Sequence, residues 1–179
     1  MTTIFLIGYM GCGKTTLGAA LAAEMAVPFV DLDDYIEEQC EASIVSVFKK
    51  VGEKGFREIE QRALAQVAAS AGGSIVACGG GTPLYGNNME LMNSLGLTIW
   101  LTTSPERIAA RLTLPEQKAK RPLIASMADG EILDYVKREL DRRAPIYGQA
   151  QLRFDSTRIE TAQETVETAR ALARILREV

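Results

Sequence analysis

Residues Gly8-Tyr9-Met10-Gly11-Cys12-Gly13-Lys14-Thr15 constrain this chain more than any other stretch. They match G-x-x-x-x-G-K-[ST]. They follow an apolar, strand-like run, Ile4 to Ile7, and precede a helical pattern that starts at Lys14. Glycines let backbone N–H groups turn inward without Cβ clashes, and the helix start adds the positive end of its dipole. The result is a cradle for phosphate oxygens. In such a loop Lys14 reaches the β- and γ-phosphates of a nucleotide and the Thr15 hydroxyl ligates Mg²⁺. Gly11 and Gly13 are permissive positions, and Thr16 adds an α-phosphate contact. Cys12 counts with them as a nucleotide-binding position of the loop, its thiol being filler. The plain alternative is a glycine-rich turn with a chance lysine, and the placement between strand and helix speaks for phosphate.

Short apolar runs at Ile4–Gly8, Phe29–Leu32, Ser74–Cys78, Leu97–Leu101 and Leu152–Phe154 read as strands. Helical patterns lie between them: Lys14 to Met25, Tyr35 to Ala71 with a break near Gly52, Asn88 to Leu95, Pro105 to Leu112 and Gly130 to Arg143. Ala162 to Arg177 ends the chain. Strands that alternate with helices and are apolar throughout predict a parallel sheet covered on both faces. Ser104-Pro105 reads as a helix cap with proline in the first turn, and Thr161-Ala162-Gln163-Glu164 as a capping box. Between Leu112 and Ala128 the pattern lapses into a polar, proline-bearing loop, long enough to predict function or movement.

The 179 residues suit one domain, 1–179, with a core that needs no metal or disulfide staple. Three widely spaced cysteines fit a reducing compartment, so a cytoplasmic protein is expected. A net charge of −3 argues against a nucleic-acid binder. No signal or transit segment and no membrane span are expected, since strand-like residues begin almost at once and no apolar stretch is long enough. The chain has no histidine, which excludes Ser-His-Asp and Cys-His chemistry and histidine metal sites. Any general base must then be a carboxylate.

Asp31-Leu32-Asp33-Asp34 ends the second strand. Ligands of open α/β sheets sit beyond the carboxyl ends of strands, and strand alternation would put Asp31 and Asp33 on one side. There they suit a metal contact and a hydroxyl acceptor, while Asp34 is expected to cap the next helix. Arg57 and Glu60 are three apart and share a helix face: either a surface ion pair, or an arginine braced to grip a carboxylate. Gly79, Gly80 and Gly81 close the third strand and allow either close approach of a ligand or a plain flexible turn. Lys118, Lys120 and Arg121 lie in the long loop, where cations either close over phosphates or are simply solvated. Arg142 and Arg143 end a helix, where cations favour the negative dipole end.

Four motifs beyond the phosphate loop make the chain resemble shikimate kinase over nearly its whole length. They are Asp31-Leu32-Asp33, Gly55-Phe56-Arg57-x-x-Glu60, Gly79-Gly80-Gly81, and Arg121-Pro122-Leu123 followed by Arg143-Ala144-Pro145-x-Tyr147. The resemblance implies a three-layer α/β/α fold of the P-loop NTPase type, with a five-stranded parallel sheet and a mobile lid at about 112–127. It implies a substrate region at about 33–61. The implied reaction moves the γ-phosphate of ATP, with Mg²⁺, onto shikimate to give shikimate 3-phosphate. A P-loop kinase for another hydroxy acid such as gluconate is the alternative. By the same resemblance, Lys14 stabilises the transferring group, Thr15 and Asp31 serve Mg²⁺, and Asp33 orients or deprotonates the accepting hydroxyl. Arg57 and Arg143 clamp the substrate carboxylate, Glu60 positions Arg57, and a glycine of the triple, Gly80 foremost, contacts substrate. Phe48, Phe56 and Met10 line the ring pocket, Arg121 reaches in from the lid, Arg111 stacks on adenine, and the segment Ser156 to Arg158 contacts adenine. A monomer is expected.

Overall fold

In the computed structural model, which describes residues 2–69, 73–119 and 122–178, the first apolar run becomes the central strand of a five-stranded, all-parallel sheet. The elements are β1 (Thr3–Ile7), α1 (Lys14–Met25), β2 (Phe29–Asp31), α2 (Leu32–Cys40), α3 (Ile44–Ala69) and β3 (Ile75–Ala77). They continue as α4 (Asn88–Leu95), β4 (Gly96–Thr102), α5 (Pro105–Leu112), α6 (Pro115–Ala119) and α7 (Pro122–Ala125). The last are α8 (Asp129–Tyr147), β5 (Leu152–Asp155) and α9 (Ala162–Glu178). A 3-10 turn at Thr82–Leu84 precedes α4. The strand order is β2-β3-β1-β4-β5.

All five residues of β1 are buried. Their alternation divides the interior into two cores. Phe5 and Ile7 point into one, with Val76 and residues of α3, α5 and α8 such as Leu64, Ile108 and Val136. Ile4 and Leu6 point into the other, with Ile75, Ile99 and the facing stripes of α1 (Leu17, Leu21) and α9 (Leu172, Ala173). Helices therefore cover both faces, which is the expected three-layer arrangement. At the back edge, β1 and β4 approach so closely that a Cβ on Gly96 would stand 2.2 Å from the Thr3 carbonyl oxygen.

Five local features depart from the sequence reading. Strand β2 stops at Asp31, and Leu32 already belongs to α2. Asp31, not Asp34, is the helix cap: its side chain accepts from the Asp33 N–H, because Asp31 is the last extended residue before the turn. The helical run from Tyr35 is two helices parted at Glu41, which takes a left-handed φ of 49°, while the break expected near Gly52 is present as a kink in α3 (φ 71°). The loop after Leu112 contains short helices α6 and α7. Helix α8 runs through Pro145 to Tyr147, where the Tyr147 hydroxyl donates to the Gly80 carbonyl at 2.6 Å and pins the last turn. The caps at Ser104 and Thr161–Glu164 form as expected.

The Gly96 contact gives a direct test. Glycine within a strand normally gains from replacement by alanine. Here the new methyl would meet the backbone of β1, so Gly96→Ala should cost about 1–3 kcal/mol, read by chemical denaturation. A variant as stable as the parent would show that the two strands are not this close.

Candidate active site

The loop between β1 and α1 is held from outside by its carbonyl groups. Ser156 Oγ donates to the Cys12 oxygen at 2.7 Å, and Arg111 donates to the Gly11 oxygen at 2.7 Å. With those carbonyls turned outward, and with the first-turn N–H groups of α1 lacking intrahelical partners, the loop presents donors to its concave side. Gly13 is left-handed (φ 95°), and a Cβ there would collide with Ile159 Cδ1. A glycine is needed on both counts. Lys14 Nζ donates to the Gly8 and Tyr9 carbonyls at 2.8 and 3.1 Å, a resting position from which phosphate oxygens can draw it. The Cys12 thiol is buried in the α1–α9 core, which agrees with its reading as filler.

A cavity of about 580 Å³ opens in front of this loop. Gly11, Gly13, Lys14, Thr15 and Thr16 line it from the phosphate side, Asp31 and Asp33 from the strand tip, and Gly79 and Gly80 from the loop after β3. Arg111, Leu114 and Gln117 reach in from α5 and the segment that follows it, and Ile159 and Glu160 close the far wall. Met10 joins the lining, while Phe48 and Phe56 pair with each other at 5.6 Å beside Arg57 and do not reach it.

Thr15 Oγ1 donates to Asp31 Oδ2 at 2.7 Å, so a hydroxyl and a carboxylate stand together at the cavity wall. Asp33 lies in the first turn of α2, not along the strand, and still faces the cavity with Asp31. Its carboxyl is raised to about 6, by loss of hydration first, then by the neighbouring charges of Asp31 and Glu60, with Lys14 opposing. Asp33 is nonetheless reached by solvent through the cavity. The protein walls crowd it without sealing it, so part of that effect is screened.

The three glycines after β3 each face a different charged group. A Cβ on Gly79 would lie 2.8 Å from Glu60 Oε1 and 3.2 Å from Asp33 Oδ1. Two carboxylates thus converge where only a hydrogen fits. The Gly80 carbonyl accepts from Arg143 at 3.3 Å and from Tyr147. Gly81 lies under the Arg57 guanidinium. Arg57 pairs with Glu60 at 2.6 Å, and Glu60 is buried to 1%. That burial separates this pair from an ordinary surface ion pair, and the Thr82 hydroxyl braces the other carboxylate oxygen at 2.5 Å. Arg143 stands over the Tyr9 ring at 4.9 Å, whereas Arg142 points to solvent as a helix-end cation does.

Arg111 forms an ion pair with Glu160 at 2.7 Å on the cavity rim. Ser156 is fully buried in its bond to the phosphate loop, and the cavity wall in that region is built by Ile159 and Glu160. Lys118 pairs with Asp129 at 2.8 Å. Arg121 and Lys120, expected to act from the lid, lie outside the described residues. Sequence reading missed Thr82, whose hydroxyl gives no pattern in the chain. It also missed Glu139, although Glu139 and Arg143 show the i,i+4 spacing of a helical ion pair.

A family model described as shikimate kinase matches residues 10–174. A shikimate kinase from Bacteroides thetaiotaomicron is 40% identical over 176 residues, which are 98% of this chain and 99% of that protein. The solved structure of a shikimate kinase from the same organism superposes with a TM-score of 0.91 at 39% identity and covers 98% of each chain. The shikimate kinase of Acinetobacter baumannii, solved in complex with shikimate, gives a TM-score of 0.81 at 29% identity, over 99% of this chain and 94% of that one.

The crowding at Asp33 has a measurable consequence. Its carboxyl protonates more readily folded (about 6) than at its ordinary 3.8. The stability this brings is fully present below 3.8 and is lost as pH rises through 6. Above that window the ionised group weighs against the fold. Asp33→Asn should therefore stabilise the ligand-free protein at pH 8 by about 1 kcal/mol, a value reduced for the solvent that the cavity admits. The gain should shrink on acidification through the window, as read by denaturation at both ends. A variant less stable than the parent at pH 8 would contradict the assigned environment.

Proposed function

The chain belongs to the shikimate kinase family, and from that premise we propose that it transfers the γ-phosphoryl group of ATP to a ring hydroxyl of shikimate, giving shikimate 3-phosphate. One observation carries the reading: the phosphate loop and the acidic Asp33 open into the same cavity, beside a glycine loop bracketed by Arg57 and Arg143.

The proposed roles follow from position and chemistry. The loop amides and Lys14 hold the triphosphate, and Lys14 moves from its carbonyl contacts to the oxygens on which charge gathers. Thr15 and Asp31 fit Mg²⁺ by donor type, since a hydroxyl and a carboxylate are hard oxygen ligands of the kind this ion takes together with substrate phosphates. When bound, Mg²⁺ supplies charge neutralisation and alignment of the phosphates. Asp33 accepts a hydrogen bond from the attacking hydroxyl and receives its proton as the new O–P bond forms. Arg57 and Arg143 take the carboxylate of shikimate, with Glu60 holding Arg57. Gly79, Gly80 and Gly81 let the ring approach the backbone. Arg111 meets the nucleobase side of ATP, and Arg121 is assigned to the closing lid at about 112–127. All these residues come from one chain, which suits a monomer. Three free cysteines and an ATP-consuming reaction suit the cytoplasm. Among the described residues, no helix is long and apolar enough to cross a membrane.

Coupled measurement of ADP release should show turnover that depends on shikimate and is not supported by gluconate or a nucleoside monophosphate. Release indifferent to shikimate would refute the reading. Lys14→Ala should lower kcat by at least about a hundredfold. Because Asp33 acts as the carboxylate, kcat/KM for shikimate should fall as pH drops below about 6. A flat profile down to pH 5 would remove Asp33 from the proton path.

A further inference from the structure

Glu139 lies one helical turn before Arg143 on α8 and belongs to none of the motifs above. Its Oε2 accepts from both Nε and one terminal nitrogen of Arg143, at 3.1 and 2.7 Å. The Gly80 carbonyl accepts from the other terminal nitrogen at 3.3 Å, and the Tyr9 ring lies beneath the guanidinium plane. Arg143 is thus fixed on its Nε edge, on one face and at one end. Among the described residues, the end that carries the two terminal nitrogens, beside Gly80, is the part of Arg143 left for an arriving carboxylate.

Such a brace could defeat itself, because a carboxylate paired with Arg143 offsets the charge that attracts an acid. Arg142 resolves this. It donates to both oxygens of Glu139, at 3.0 and 2.8 Å, from a side chain that is 65% exposed, against 13% for Arg143. Two guanidinium groups share one carboxylate, so the cluster keeps a positive charge, and its inner half is Arg143, held against Gly80, a residue of the cavity wall. Arg57 has a different arrangement: one buried glutamate takes a single terminal nitrogen.

We propose that Glu139 is a positioning residue for the acid substrate: it fixes the orientation in which Arg143 receives the carboxylate, while Arg142 balances its charge. The proposal rests on the reading of Arg143 as a carboxylate-binding group. It concerns KM for shikimate and not the chemical step, since Glu139 lies behind Arg143 and touches no reacting atom.

The test is steady-state kinetics on Glu139→Ala, Glu139→Gln, Arg143→Ala and the Glu139→Ala/Arg143→Ala double variant. Glu139→Ala should raise KM for shikimate about tenfold, the size expected for a lost hydrogen bond to a charged group. KM for ATP and kcat should stay within about twofold, because the phosphate side is untouched. In Glu139→Gln the amide oxygen still accepts from Arg143, so KM should stay within about threefold of the parent. In the Arg143→Ala background, Glu139→Ala should add nothing. KM does not depend on how much of a preparation is folded, so partial loss of fold lowers apparent kcat without mimicking the effect. An unchanged or lowered KM in Glu139→Ala would overturn the proposal, as would the same rise in the Arg143→Ala background. Absence of shikimate-dependent turnover in the parent would overturn the functional reading and this inference with it. Active parent enzyme with indifferent Glu139 variants would overturn this inference alone.

Discussion

The pairing of β1 with β3 is the constraint from which the site is built. The two strands run parallel in register, Leu6 beside Ala77, and the Cys78 N–H donates to the Leu6 carbonyl where both strands end. Their loops therefore leave the sheet side by side. A Cβ on Gly80 would sit 3.5 Å from the Met10 nitrogen and 3.6 Å from the Gly8 oxygen, ordinary contact distance between two backbones. One loop carries the phosphate cradle, and the other carries the glycines that the arginines and carboxylates surround. Strand β2, on the far side of β3, brings its acidic tip to the same edge. This is the crevice beyond the carboxyl ends of parallel strands, where ligands of such sheets sit.

The charges at that edge are arranged against stability and for chemistry. Asp31, Asp33 and Glu60 repel one another, and Asp33 bears the consequence as a raised carboxyl. Each of the other two has a donor that tolerates its charge: Thr15 for Asp31, and Arg57 with Thr82 for Glu60. Asp33 faces the same cavity as Asp31, and among the described residues its carboxylate has no side-chain donor. That is the state its proposed role, accepting a hydroxyl, requires. The apolar interior on both faces of β1 supplies the stability that this acidic edge withholds.

Much of this was legible in the chain. The run Ile4–Gly8, the glycine loop and the helix from Lys14 fix one another through strand, turn and helix requirements, and α1, α4 and α5 have the bounds that the apolar spacing predicts. The inner strands β1 and β3 were found because buried parallel strands are apolar throughout, whereas the edge strand β5 alternates, with Arg153 and Asp155 exposed. Asp31 and Asp33 were paired for a reason that the structure replaces: they share the cavity through a cap and a first helical turn, since β2 ends one residue earlier than its apolar pattern suggests. The extension of α8 to Tyr147 was hidden by Pro145, and only the tertiary bond from Tyr147 to Gly80 explains it. Arg57 with Glu60 looked the same in sequence as any exposed pair. Burial beneath the glycine loop, which no local spacing encodes, is what distinguishes it.

In the proposed function, phosphate loop and acidic tip serve two substrates in one cavity. A crystal structure of the chain with ADP, Mg²⁺ and shikimate tests this most directly. It should place the β-phosphate within the curve of residues 8–15 and a ring hydroxyl at hydrogen-bond distance, about 2.6–3.2 Å, from the Asp33 carboxylate. Shikimate bound with its carboxylate toward Asp33, or nucleotide seated outside the loop, would contradict it.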